Sequence, residues 1–155
     1  MRILVAYYSW TGHTKQIAEA IAEVCDADLE QIHDVDSRAG FLGYLRSARQ
    51  AFMKQASKIR DVAKDPLQYD LVLLGTPVWA WNLSPPMRAY IGEQASKFRA
   101  VGFFCTEGGA GGAGVFKQMA ELSGKQPAAT LIVTEAELKS SSYSDKLQAF
   151  IRQCR

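Results

Sequence analysis

Apolar runs alternate with amphipathic stretches along the 155 residues. In residues 2–8, Ile3, Leu4, Val5 and Ala6 follow one another without a polar break, which predicts a strand buried on both faces. Ile17, Ala18, Ile21, Ala22 and Cys25 then recur every three or four positions and predict a helix over 13–25. Residues 28–33 predict a short second strand. Phe41, Leu45, Ala48, Phe52 and Ala56 have helical spacing and predict a helix over 41–59, with Asp65 and Pro66 as the following break. The run over 69–76, with Leu71, Val72, Leu73 and Leu74 at its centre, predicts a third strand covered on both sides. A helix over 86–95 has proline in its first turn. A fourth strand over 100–105, a glycine-rich loop, a helix over 113–122 and a fifth strand over 128–134 follow. A helix over 143–153, capped by Ser142, ends the pattern.

Strand and helix thus alternate, which specifies an α/β protein with helices on both faces of a parallel sheet. Right-handed crossovers favour the five-stranded order 2-1-3-4-5. No repeat or linker interrupts the pattern, so residues 1–155 read as one domain. Ligands of such sheets lie beyond the carboxyl ends of the strands, where the order reverses between the first and third strands. The loops after the first, third and fourth strands are therefore where unusual chemistry is expected.

The first of these loops reads Ser9, Trp10, Thr11, Gly12, His13, Thr14 and opens directly into a helix. Three hydroxyls, a glycine that lets the backbone approach closely, and the free N–H groups of a helix start make a phosphate cradle that needs no cationic side chain. A plain helix cap would need only one hydroxyl. Neither the Walker lysine pattern nor GxGxxG is present. His13 is expected to face solvent from the loop, and Lys15 to point outward from the helix. The second loop contains Thr76, Pro77, Val78, Trp79, Ala80 and Trp81, and two indoles are costly to leave in water. The third contains Thr106, Glu107, Gly108 and Gly109, followed by further glycines at 111, 112 and 114, which permit close backbone approach.

Charge narrows the function. A net charge of +2 with scattered basic residues argues against a nucleic-acid partner. No apolar stretch approaches the ~20 residues of a membrane span, and the first apolar run is too short for a signal-peptide core. The expectation is a cytoplasmic protein. Cys25, Cys105 and Cys154 form no CxxC pair and read as free thiols. His13 and His33 lie far apart, so no zinc site is expected.

The loop at 9–14, the Gly75, Thr76, Pro77, Val78, Trp79 segment and the glycine-rich loop after the fourth strand together resemble the flavodoxin family, in its short-chain form. The resemblance spans the whole chain. It implies the flavodoxin-like three-layer sandwich and FMN as cofactor. It places the phosphate at residues 9–14, and Trp79 as the residue stacking on the flavin ring. Trp81 is implied to shield the ring's outer edge or to pack on the sheet, and Trp10 to line the ribityl chain or cover the loop. Thr106, Gly108 and Gly109 are implied to meet the pyrimidine edge through main-chain groups. Glu107 either opposes negative charge on the ring or faces water.

The sequence also departs from the family. Flavodoxins keep a glycine in the loop after the third strand, whose peptide flips toward the reduced ring's N5. Here residues 77–86 contain no glycine, and Trp81 stands at that position. A positive φ is harder for a residue with a Cβ. The slightly basic chain also differs from the acidic flavodoxins, which implies other partners. The adopted expectation is electron transfer with redox partner proteins or a small-molecule acceptor. The alternative is an FMN-dependent NAD(P)H:quinone or related oxidoreductase. Arg46, Arg49, Lys54 and Lys58, beside Phe41, Tyr44 and Phe52, read as an amphipathic crossover helix or else a docking rim.

Overall fold

The computed structural model describes residues 1–35, 43, 45, 49 and 57–155. Strand β1 (Ile3–Tyr7) is buried along its whole length. Its side chains alternate between two cores, as the two-residue period of a strand requires. Ile3, Val5 and Tyr7 pack with Ile17, Ile21, Phe150 and Ile151. Leu4 and Ala6 pack with Met87, Tyr90 and Ile91 on the other side. Both faces are covered, which is why the run is continuously apolar.

The sheet continues through β2 (Asp28–Gln31), β3 (Leu71–Trp79), β4 (Asn82–Leu83), β5 (Val101–Glu107) and β6 (Thr130–Thr134). Its order is β2-β1-β3-β5-β6, with β4 hydrogen-bonded to β3 alone. The five parallel strands therefore have the expected order, and β4 is an antiparallel addition. Helices α1 (His13–Cys25) and α5 (Ser144–Cys154) cover one face. Helices α2 (Pro85–Gln94) and α3 (Gly112–Ser123) cover the other. This is the flavodoxin-like sandwich. Among the described residues no helix is long and apolar enough to cross a membrane.

Several expectations change in detail. The third strand does not stop at 76 but runs to Trp79, then turns back through Ala80 and Trp81 into β4. Two-residue hairpin turns are normally signalled by Asn-Gly or Asp-Gly, and Ala-Trp carries no such signal. The fourth strand likewise runs on through Thr106 and Glu107. A short helix, α4 (Glu135–Ser140), precedes the last one and was not expected. Thr134 and Glu137 form its capping box: Thr134 Oγ1 accepts from the Glu137 N–H at 3.2 Å, and Glu137 Oε2 accepts from the Thr134 N–H at 2.9 Å. Ser142 does not cap α5. Its hydroxyl lies 2.7 Å from that of Ser140, and Tyr143 occupies the cap position without a side-chain bond.

Most of the helix expected over 41–59, with Phe41, Tyr44, Arg46, Phe52 and Lys54, lies outside the described residues. Gly43, Leu45 and Arg49 are helical. The end of the segment is not, because Ile59 forms an antiparallel bridge with Asp34 and Lys58 lies in that extended stretch.

Candidate functional site

Parallel strands bring the ends of β1, β3 and β5 to one edge of the sheet, and a cleft of about 170 Å³ opens there. The first loop contributes Trp10, Thr11, His13 and Thr14 to its walls. The second contributes Pro77, Val78 and Trp79, and the third Thr106, Glu107 and Gly108. Ser9, Gly12, Thr76, Ala80, Trp81 and Gly109 are not part of the wall. A larger hollow of about 590 Å³ lies by Phe116 and Pro127 at the far end of α3, but no hydroxyl converges on it.

The hydroxyls of the first loop have separate tasks. Gly12 is the N-cap of α1 and has no side chain to cap it; Ser9 Oγ serves instead, accepting from the N–H groups of Gly12 at 3.2 Å and Lys15 at 3.1 Å. Thr14 is buried, and its Oγ1 lies 2.8 Å from the Oγ1 of Thr106, tying the first loop to the third. Thr11 is exposed at the rim. Gly12 has φ 98°, a left-handed conformation that glycine adopts without strain, and a Cβ added there would point into open space. Among the described residues no acceptor meets the N–H groups of Thr11, His13 or Thr14. These amides sit at the positive end of the α1 dipole. Among the described residues no lysine or arginine lines the cleft, and Glu107 and Glu135 both do.

His13 is not the solvent-facing loop residue expected from sequence. It is the first residue of α1 and is partly buried against the cleft. Lys15 does point outward, 3.9 Å from Glu19 one turn on.

Trp79 stands between two other aromatic rings. Its centroid is 5.5 Å from that of Tyr8 and 5.4 Å from that of Trp10, with edge-on angles of 86° and 82°. Both separations lie within the favourable range for T-shaped pairs. Trp81 does not pack on the sheet. It is 70% exposed at the tip of the hairpin. The Thr76 side chain is turned inward: its hydroxyl donates to Ser84 Oγ at 2.9 Å and accepts from the Ser84 N–H at 3.2 Å, fastening β3 to the start of α2. Glu107 does not face water. It is buried, and its Oε2 accepts from the N–H of Gly112 at 2.8 Å, which places its charge at the α3 N-terminus.

Glu135, the first residue of α4, lines the cleft and was missed. Its signal was the Thr-x-x-Glu box at 134–137, which marks a helix start directly after a strand end.

A doubly wound sheet with open amides at its switch point is the arrangement in which α/β proteins receive phosphate-bearing ligands at the strand ends. The flavodoxin family model matches residues 2–154, and the chain belongs to that family. Its fold is similar to that of a Lactobacillus acidophilus flavoprotein solved in complex with FMN (23% identity, TM-score 0.74, covering 91% of this chain and 98% of that one). It is also similar to the two-electron reduced flavodoxin of Megasphaera elsdenii (20% identity, TM-score 0.60, 99% of both chains). A third similar structure is a WrbA-like flavodoxin from Agrobacterium tumefaciens (16% identity, TM-score 0.57, 99% of both chains).

Proposed function

We propose that this chain is an FMN-binding electron carrier of the flavodoxin family. The observation that carries this is the set of open N–H groups on Thr11, His13 and Thr14 at the start of α1, in a cleft that no cationic side chain among the described residues lines. They fit a single phosphate, as FMN has. Membership of the flavodoxin family, and an FMN complex among the similar folds, point to the same cofactor.

The residues fit the rest of the molecule in two parts. A cleft of about 170 Å³ is smaller than the roughly 300–1,000 Å³ of most ligand sites. It suits the phosphate and sugar-alcohol end. Trp79 on one side and the main chain of Gly108 and Gly109 on the other would hold the ring at the open mouth. Both glycines border open space, since a Cβ at either would meet nothing within 4 Å. Bound FMN supplies the redox centre, exchanging one or two electrons. The protein orients the ring, excludes water from its buried edge and offers amide dipoles to developing charge.

Electron transfer is favoured because the chain belongs to the flavodoxin family and a two-electron reduced flavodoxin is among the similar folds. Of the acid–base side chains among the described residues, His13, Glu107 and Glu135 reach the cleft, and Glu107 is committed to Gly112. The partner is a redox protein or a small-molecule acceptor. Stepwise photoreduction of the FMN-loaded protein should resolve two one-electron stages. A single two-electron transition, with rapid NAD(P)H oxidation, would instead establish a reductase.

A further inference from the structure

The hairpin that joins β3 to β4 is built against its own sequence. Trp79 pairs with Asn82, leaving Ala80 and Trp81 as the two turn residues, with φ of 46° and 60°. Positive φ at both positions is the type I′ geometry, which Asn-Gly fits and Ala-Trp does not. Something must hold this turn, and a chain of hydrogen bonds does so. Gln118 on α3 has its Oε1 fixed by two donors, the Leu83 N–H at 3.2 Å and an Arg88 guanidinium N–H at 3.0 Å. Its Nε2 is therefore the end that faces Asn82, and it donates to Asn82 Oδ1 at 2.6 Å. That in turn directs Asn82 Nδ2 to the Ala80 carbonyl, at 2.8 Å. Every link has only one polarity that satisfies all members. The Arg88 charge at one end polarises the two amides in series, which strengthens the last bond to Ala80. Arg88 meets no carboxylate among the described residues. The third loop closes the other side: a Cβ on Gly111 would lie 3.2 Å from Trp81 Cα.

We propose that Gln118 is a positioning residue for the flavin ring. Through Asn82 it locks the Ala80-Trp81 turn and so fixes the end of the strand that carries Trp79. This rests on the FMN assignment above. Its effect belongs to the ring end of the site, well separated in function from the amides that take the phosphate.

The discriminating substitution is Gln118→Glu. An ionised carboxylate still accepts from Leu83 and Arg88, so the packing of α2 on α3 is kept, but it cannot donate to Asn82. Gln118→Leu removes both functions and serves as the comparison. In the flavin-free protein, backbone order parameters at Ala80 and Trp81 should fall in Gln118→Glu from the rigid level of about 0.85 toward the flexible range below about 0.6. Affinities for FMN and riboflavin should both weaken at least fivefold, with their ratio unchanged. Adding Ala80→Gly, which removes the strain at φ 46°, should restore both affinities. Unchanged order parameters, or unchanged affinities, would overturn the proposal. So would a loss confined to FMN, since that would place the effect at the phosphate. If the unsubstituted protein bound neither flavin, the cofactor assignment would fail, while the order parameters would still decide the role of Gln118 in the turn.

Discussion

Ser9 and Thr14 are both hydroxyl residues of one loop, yet they do different work. Ser9 satisfies the Gly12 and Lys15 amides at the head of α1, so Ser9→Ala should cost about 0.5–2 kcal/mol of stability, the range for losing a helix cap, read by urea denaturation. Thr14→Val should break the bridge to Thr106 while keeping the buried shape. The sequence made the site legible as a group of hydroxyls around a glycine. It could not show which hydroxyl caps the helix and which ties two loops together, because that depends on side-chain direction and on a partner 92 residues away. Glu107 was illegible for the same reason. Its acceptor role depends on the bend that brings Gly112 back to it. Gly75 makes a sharper case. It sits in β3 under the ring of Phe104, and a Cβ there would lie 2.1 Å from Phe104 Cζ. Gly75→Ala should destabilise by about 1–3 kcal/mol through overpacking, measured as a lower urea midpoint at unchanged slope.

At the scale of elements, the long apolar strands were read correctly because both faces are buried and the pattern has no competing period. The short second strand was read as well, but two other short elements were not. Strand β4 has two residues, too few for any periodicity, and its turn uses residues that oppose the turn's geometry. Helix α4 has six residues and was visible only through its capping box. That box has a pH signature. Lys146 Nζ lies 2.6 Å from Glu137 Oε1. The Lys146 bond, followed by the Thr134 N–H, holds the Glu137 carboxyl below the usual carboxylate range. A carboxylate whose folded pKa is depressed contributes stability above its unfolded pKa and loses it as pH falls through the folded one. The lysine is half-exposed, so the pair contributes only about 0.2–1 kcal/mol. Glu137→Gln should therefore lower the melting temperature slightly at neutral pH, and the gap to the unsubstituted protein should begin to narrow near the unperturbed glutamate value of about 4.3 and close at lower pH, as the carboxyl passes its depressed folded pKa.

For the whole molecule, alternation and handedness narrow the order of the parallel strands to a few choices, and the observed one fixes the position of the cleft. Interior chemistry follows from burial. Desolvation pushes the Cys154 thiol up to about 11 and that of Cys105 higher still. A thiol reagent at pH 8 should therefore react first at the partly exposed Cys25 and reach Cys105 only on unfolding. In the proposed function, three open amides at the head of α1 hold the phosphate of FMN. The most direct measurement is a titration of the flavin-free protein with FMN and with riboflavin, followed by their dissociation constants. FMN should bind at least tenfold more tightly than riboflavin, and inorganic phosphate should weaken FMN binding while leaving riboflavin unaffected. Equal affinity for the two flavins would contradict the phosphate assignment.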